Sequence, residues 1–236
     1  MYINGSLSNQ LSQIFTIISY SIQNSYNYKF VINNNSKYWN NIFIHIKHHI
    51  INSNIPFISY KEENNYNPIP IYNKPFRIIG NFNSYLYFNN HINDIKHIIK
   101  LKIIQKPFKY LYNYNNCVSL HIQNNINFHY YLSCIDKLIN ITKNNEWTII
   151  LFSNDNTYNI IDLLRNEYKN IYFIKANKNH SDWQHLIIMS LCKYNIISNS
   201  KFSWWGAILN DNNNVFYPYE SKNTPPKWNK VYFNPT

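Results

Sequence analysis

The sequence predicts an α/β protein with two lobes, in which parallel β-sheets are flanked by helices. From residue 117 onward, short apolar runs of strand length alternate regularly with segments whose apolar residues recur at helical spacing. The chain has 236 residues, of which 45% are hydrophobic and 18% aromatic, and this is enough to bury a sizeable core. We therefore expect a smaller α/β lobe over residues 1–107 and a doubly wound lobe over residues 108–236.

The first hundred residues give clear signals only at their two ends. Apolar residues at helical spacing predict a helix over 9–23, which follows a short strand over 1–4 and a turn at Gly5. Residues 33–75 are rich in Asn and Pro, and the pattern of 42–51 does not separate strand from helix. The other elements expected here are strands over 28–33 and 76–79 and a helix over 93–105.

The second part of the chain has a sharper pattern. Apolar runs of three to six residues, except the last one, are followed by an amphipathic segment, as in sheets whose strands are joined by crossover helices. The predicted strands are 117–122, 147–152, 171–174, 195–197 and 215–217. The predicted helices are 128–143, 160–168, 182–192 and 202–209.

Composition limits the classes of partner. The formal net charge is +11, but the basic residues form no consecutive run, and the abundance of Asn, Ile, Tyr and Lys is what A/T-rich codons produce. We therefore expect no nucleic-acid partner. The three cysteines, Cys117, Cys134 and Cys192, are widely spaced and predict neither a disulfide framework nor a metal site, but buried apolar side chains. With no secretory signal pattern and no long apolar run, a cytoplasmic protein is expected.

Three strand-to-helix turns are candidates for a ligand site, because ligands of such sheets bind at the carboxyl ends of the strands. They begin at His121, at Ser153 and at Ser198. The turn from Ser198 opens a helix, where free amide groups and the helix dipole favour an anion such as phosphate. Ser200 in this turn can equally be a simple helix cap, and Trp204 and Trp205 simple core residues. We expect Gly206 to permit close helix–sheet contact.

Four stretches together resemble the family of α-1,2-fucosyltransferases, glycosyltransferase family eleven. The segment 182–210, "DWQHLIIMSLCKYNIISNSKFSWWGAILN", is similar at nearly every position to the family motif D…LMSxCxxxIIxNSSFSWWGAWLN. "GSLSNQLSQIF" at 5–15 resembles the family's opening G-x-L-G-N-Q-x-F-Q. "GNFNSYLYF" at 80–88 and "LFSNDNTYN" at 151–159 resemble its G-Y-F-Q-S-x-x-Y-F and F-S-D-D segments. Residues 33–75 match no part of the family pattern.

The resemblance implies a GT-B-like glycosyltransferase with two Rossmann-like lobes, which acts without a metal or other cofactor and inverts the configuration at the transferred sugar. The donor is then a GDP-sugar such as GDP-fucose, bound by the C-terminal lobe, and a glycan acceptor binds on the side of the N-terminal lobe. His121 and Asp155 are the catalytic candidates. The residues expected to bind the nucleotide-sugar are Gly5, Asn9, Gln10, Gln123, Asn124, Ser153, Asp182, Asn199, Ser200, Lys201 and Ser203.

One departure from the family pattern concerns charge. The family's H-x-R-R-x-D motif aligns with residues 121–126, where His121 is kept but Gln123 and Asn124 replace both arginines and Ile126 replaces the aspartate. Without a metal, a cationic group is needed to stabilise the departing diphosphate, and Lys201 is the candidate. Two other interpretations stay open: a catalytically degenerate module that binds a nucleotide or a glycan, and a transferase for another nucleotide-sugar.

Overall fold

The structure is a computed structural model that describes residues 1–32, 37–52, 58–63, 66–123, 126–153, 158–221 and 224–232. Its backbone contacts divide the chain into two compact units, Met1–Ile104 and Gln105–Thr236. Each unit contains parallel strands connected through helices, so the predicted α/β class with parallel sheets flanked by helices is confirmed.

The first unit contains two small parallel sheets and one long buried helix. Strands β1 and β2 pair in parallel, and so do β3 and β4. The long helix α1 begins at the cap Ser6 and ends at Ser25, which adopts the left-handed conformation. The elements are β1 (Tyr2–Ile3), α1 (Leu7–Asn24), β2 (Val31–Ile32), β3 (Ile58–Lys61), β4 (Phe76–Ile79), α2 (Ile92–Ile98) and α3 (Leu101–Gln105).

Four details differ from the predicted elements of the first hundred residues. The strand expected over 28–33 is limited to Val31–Ile32 among the described residues. The helix expected over 93–105 is broken at Lys100, whose φ of 54° closes α2 before α3 begins. Strand β3 lies in the region that gave no clear signal. The ambiguous stretch 42–51 contains a 3₁₀ helix, Ile44–His49. The other short 3₁₀ helices are Lys37–Asn40, Tyr85–Tyr87, Asn89–His91, Lys106–Phe108 and Tyr114–Asn116.

The second unit is built around a six-stranded sheet in which every neighbouring pair is parallel. The predicted strands and helices are all present within one or two residues, and a short edge strand, β10, adds to them. The elements are β5 (Cys117–His121), α4 (Phe128–Thr142), β6 (Thr148–Phe152), α5 (Tyr158–Glu167), β7 (Tyr172–Lys175), α6 (Asp182–Leu191), β8 (Tyr194–Ile196), α7 (Lys201–Leu209), β9 (Val215–Pro218) and β10 (Asn229–Val231).

The order of the strands identifies where this sheet can bind a ligand. Across the sheet the order is β7-β6-β5-β8-β9-β10, which is the order 3-2-1-4-5-6 of doubly wound sheets. The chain moves outward on one side from β5 and on the other side from β8, so the direction of winding reverses between these two strands. Their register pairs Leu120 with Ile196. A crevice for a ligand is expected outside the carboxyl ends of β5 and β8.

The two faces of this sheet are packed differently. Alternate strand residues, among them Leu120, Leu151, Ile196 and Phe216, pack with α4 and α5 in a fully apolar core. The other face carries a buried amide, Asn195, which is only 1% exposed. A buried amide must satisfy its donors and acceptors, and Asn195 does so through one neighbouring strand, β5, and through α6 and the end of α7. Its Nδ2 donates to Ser119 Oγ at 2.6 Å and to Met189 O at 2.8 Å, and its Oδ1 accepts from Asn210 Nδ2 at 2.8 Å.

The sequence also predicted that the cysteines are buried and that no segment spans a membrane. Cys117, Cys134 and Cys192 are buried free thiols, as expected, and burial raises the pKa of Cys117 to about 11. Among the residues that the structure describes, no helix combines the length and the apolar character needed to cross a bilayer.

Gly206 has a role in packing that differs from the expected one. A Cβ atom at Gly206 would lie 2.9 Å from both Cβ and Sδ of Met189 on α6. The absence of a side chain therefore lets α7 approach a neighbouring helix, whereas the sequence suggested close contact with the sheet. Trp205, the next residue toward the amino end of α7, is fully buried, whereas Trp204 is partly exposed and contacts Trp228.

The Gly206→Ala variant is expected to lower the free energy of unfolding by about 1–3 kcal/mol, because Met189 Cβ belongs to a packed helix and cannot move far. This loss opposes a gain in helix propensity of up to about 1 kcal/mol. Urea denaturation of the variant and the wild type measures the difference, and Gly206→Val should cost more than Gly206→Ala. A stabilised Gly206→Ala chain would show that α6 and α7 are not in close contact.

Candidate functional site

The carboxyl ends of β5 and β8 carry a short hydrogen bond between two polar side chains. His121 is the last residue of β5, and Ser198 follows β8 by two residues. His121 Nδ1 and Ser198 Oγ are 2.6 Å apart, and Ser198 is 1% exposed. The two turns that the strand order places at the crevice are thus joined across it. His121 was a predicted site residue, but Ser198 was noted only as the start of its turn.

The turn after β8 continues directly into the first turn of α7. Ser200 is the N-cap of this helix, and its Oγ accepts a hydrogen bond from the Phe202 amide at 3.1 Å. Ser203 is buried, and its Oγ lies 3.3 Å from Ser198 Oγ and 3.3 Å from the carbonyl oxygen of Ser200. The capping role expected of Ser200 is therefore confirmed, and Ser203 connects the helix to the His121–Ser198 pair.

The beginning of α7 is accessible from outside. Asn199 is exposed, whereas Ser200, Lys201 and Phe202 are partly exposed. Asn199 Oδ1 accepts a hydrogen bond from Ser221 Oγ at 3.3 Å, which ties this turn to the segment after β9. The positive end of the α7 dipole and the side chain of Lys201 therefore lie at an open edge of the sheet, where an anion is favoured.

Burial decides the charge of His121. Removal from water lowers the pKa of His121 to about 4, so its imidazole is neutral at pH 7. The Phe202 ring lies beside it, with the two ring centroids 5.9 Å apart. In its neutral state His121 can accept a hydrogen bond or a proton at one ring nitrogen and donate from the other.

Gln123 presents a second acceptor in the turn after β5. Its backbone amide donates to Tyr131 Oη at 3.0 Å, which fixes the turn. Its side-chain oxygen Oε1 is buried and finds no hydrogen-bond donor among the described residues. A buried unpaired carbonyl costs free energy, and a bound molecule with a hydroxyl or N–H group would satisfy it.

Two further predicted residues lie along the same edge of the sheet. Ser153 directly follows β6 and is partly buried. Asp182 is the first residue of α6, where its Oδ1 accepts from the Trp183 amide at 3.0 Å. The N-cap of this helix is Ser181, which forms a capping box with Gln184. Asp155 and Asn124 lie outside the described residues.

The remaining predicted residues belong to the first unit and form a turn of their own. Gly5 has a φ of 80°, a conformation that disfavours a side chain, and Gln10 Nε2 donates to its carbonyl oxygen at 2.9 Å. A Cβ at Gly5 would also lie 2.9 Å from Asn9 Nδ2. Gln13, which sequence reasoning missed, holds the same segment through Asn4 and Gly80.

A cavity of about 400 Å³ lies elsewhere in the first unit. Its walls include Tyr20, Tyr28, Tyr72 and Phe76, and none of the predicted site residues lines it. It opens near the amino ends of β1, β2 and β4, whereas Gly5 follows the carboxyl end of β1. The described residues contain no group of three side chains suited to hold a metal ion.

The strand order and the polar groups at the point where winding reverses define a doubly wound α/β domain with a candidate anion site at its crevice. Residues 113–225 match the model of Glycosyl transferase family 11, so the chain carries a domain of this fucosyltransferase family. The match covers just under half of the chain, from before β5 to beyond β9, and includes every site residue from His121 to Ser203. A comparison with the curated proteins found no match.

The buried neutral state of His121 predicts a dependence of stability on pH. The unfolded histidine takes up a proton below about pH 6.5, but the folded one does so only near pH 4. Stabilisation from His121 is therefore complete above pH 6.5 and is lost as the pH falls toward 4. When the pH falls from 7 to 4.5, the free energy of unfolding should decrease in both proteins. We expect the decrease to be about 2 kcal/mol larger in the wild type than in the His121→Gln variant.

Urea denaturation of both proteins at the two pH values tests this difference. Equal losses in the variant and the wild type would show that His121 is solvated and protonates normally.

Proposed function

We propose that the protein is an inverting, metal-independent glycosyltransferase that transfers fucose, or a related sugar, from a GDP-sugar to a hydroxyl group of a glycan acceptor. The family 11 domain supports glycosyl transfer of the fucosyltransferase type. The observation that carries the proposal is the joining of His121 to the α7 turn across the crevice, because both catalytic and anion-binding groups then face one site.

The donor diphosphate is proposed to bind at the first turn of α7. Ser200 and Asn199 present polar side chains around this turn, and its helix dipole favours negative charge. Ser203 supports the site from beneath, because it is buried and bonded to the Ser198 hydroxyl. Ser153 and Asp182 extend the site along the edge of the sheet toward the rest of the nucleotide.

Charge is the main difference between this site and the family pattern. Gln123 replaces the first arginine of the family motif and can form hydrogen bonds but not an ion pair. Losing such a charge-assisted contact costs on the order of 2–3 kcal/mol of transition-state stabilisation, or roughly a hundredfold in rate. Lys201, on the first turn of α7, is proposed to supply the positive charge that offsets part of this loss.

In the transfer step, the acceptor oxygen attacks the anomeric carbon of the sugar as the bond from that carbon to the diphosphate oxygen breaks. The acceptor proton must pass to a base, and GDP leaves with the electron pair of the broken bond. Neutral His121 has a lone pair for this proton, and the negative charge of a bound diphosphate would raise its pKa and make it a better base. Asp155 is the other candidate for this role.

The first unit is proposed to be the acceptor-side lobe of a GT-B-like enzyme, with a boundary near residue 107. Its βα turn, which contains Gly5, Asn9 and Gln10, is the part that resembles the family's opening motif. Gly5 permits a turn that leaves backbone groups open to a ligand, and Gln10 stabilises that turn. We propose that this lobe receives the glycan.

The loss of both arginines favours a second candidate, a degenerate module that binds the nucleotide without transferring sugar. Calorimetric titration with GDP and GDP-fucose, followed by a transfer assay, separates the two. Binding with turnover supports the transferase, and binding without turnover supports the module.

A thermal-shift screen with GDP-, UDP- and dTDP-sugars identifies the donor, and stabilisation by UDP- or dTDP-sugars alone would overturn the proposed GDP specificity.

The Lys201→Met variant is expected to bind GDP about tenfold more weakly than the wild type, because it removes a positive charge from the diphosphate site. Lys193→Met is the matched control, since Lys193 precedes β8 at the opposite edge of the sheet and lies over the Trp147 ring. Calorimetry at constant ionic strength measures both affinities. Equal affinities of the Lys201 variant and the wild type would exclude Lys201 from the diphosphate site.

A further inference from the structure

We propose that Ser198 is a positioning residue that holds neutral His121 as a single tautomer, with its proton on Nδ1 and its lone pair on Nε2. The inference deepens the proposed function, on which the role of that lone pair rests. The hydrogen bond that carries it is the 2.6 Å contact between His121 Nδ1 and Ser198 Oγ.

The direction of this bond follows from counting protons along a chain of four groups. The carbonyl oxygen of Ser200 can only accept, so the contact from Ser203 Oγ uses the single hydroxyl proton of Ser203. The contact between the two serine hydroxyls then requires the proton of Ser198. Ser198 has no second proton to give, and His121 Nδ1 must be the donor of the remaining bond.

The opposite polarity leaves one contact unmade. If Ser198 donated to His121 Nδ1, the single proton of Ser203 could serve either Ser198 or the Ser200 carbonyl, but not both. In that case the Ser203–Ser200 contact would be lost, and the Ser200 carbonyl would keep only the bond from the Trp204 amide at 3.0 Å. The polarity with Nδ1 as donor satisfies all three contacts and is therefore favoured.

The backbone that presents Ser198 is fixed independently of His121. Tyr130 is fully buried in α4, and its hydroxyl group lies 2.5 Å from the carbonyl oxygen of Ile197 and 3.2 Å from that of Phe216. The residue before Ser198 is therefore anchored to the helix on the opposite face of the sheet. Ser198 can thus orient the imidazole, because its own position does not depend on that contact.

The tautomer decides what His121 can do with a substrate. With the proton on Nδ1, Nε2 accepts a hydrogen bond from a hydroxyl group and can take its proton. The other tautomer would present an N–H group at Nε2 and would have no lone pair there to receive the acceptor proton. Ser198 and Ser203 therefore determine whether His121 is poised as an acceptor or as a donor.

Long-range ¹H–¹⁵N spectra of the full, ¹⁵N-labelled chain at pH 7 test the tautomer directly, because protonated and unprotonated ring nitrogens have well-separated shifts. The His121→Gln variant assigns the His121 signals by their loss. We expect Nδ1 protonated in the wild type and a shift toward protonated Nε2 in Ser198→Ala. Ser203→Ala should shift it the same way, because the Ser198 proton becomes free to turn to Nδ1.

Ser190→Ala is the matched control, because Ser190 is likewise a buried serine of the second unit but bonds the Ile187 carbonyl oxygen and Gln105. It is expected to keep the wild-type tautomer and transfer rate, whereas Ser198→Ala should lower kcat by about tenfold or more.

A wild-type spectrum with protonated Nε2, or an unchanged spectrum in Ser203→Ala, would overturn the inference. If Ser198→Ala does not fold, Ser203→Ala alone decides the tautomer. A chain that transfers no sugar but shows the expected spectra would refute the proposed function and leave the tautomer assignment standing.

Discussion

The candidate site depends on the parallel pairing of β5 with β8 at the centre of the six-stranded sheet. Because the chain winds away from these strands in opposite directions, the turns that follow them diverge and leave a crevice between them. The pairing also fixes distance, since neighbouring strands lie about 4.8 Å apart. Side chains at the ends of the two strands are therefore within hydrogen-bonding reach, as His121 and Ser198 are.

A buried polar network supports this pairing from one face of the sheet. Asn195 lies in β8 and bonds Ser119 in β5, the backbone of α6 and Asn210 at the end of α7. An amide buried to this degree is tolerated only when its partners are in place, so the network favours one register of β8 and one placement of both helices. The opposite face is mainly apolar, and the buried hydroxyl group of Tyr130 on α4 adds hydrogen bonds to the carbonyl oxygens of Ile197 and Phe216 there.

The electrostatics of the site differ from what the family pattern implies. Where the pattern has arginines, this chain has uncharged residues, and burial keeps His121 neutral as well. We therefore propose that the favourable field for an anion comes from the helix dipole of α7 and from Lys201, with hydrogen bonds supplying the remainder. A site of this kind can orient a diphosphate, but the stabilisation of its developing charge rests on few groups.

The sequence by itself determined the α/β class, the bounds of most strands and helices in the second unit, the place of His121 at the end of a strand and the place of Ser200 at the start of a helix. These features follow from periodicity and capping, which act over a few residues. It did not determine β3 or β10, because each is a short strand that exists only by pairing with β4 or β9. The break at Lys100 also escaped prediction, because a left-handed residue there closes α2 inside an otherwise helical pattern.

Only the tertiary structure decided the strand order, the contact of Gly206 with Met189 and the role of Ser198. Each of these joins residues far apart in the chain: Ser198 and His121 are separated by 77 positions, and no local pattern distinguishes a serine that bonds a histidine from one that ends a strand. The physical reason is that propensity and periodicity report local preferences, whereas sheet order and hydrogen bonds between strands are set by packing across the whole domain.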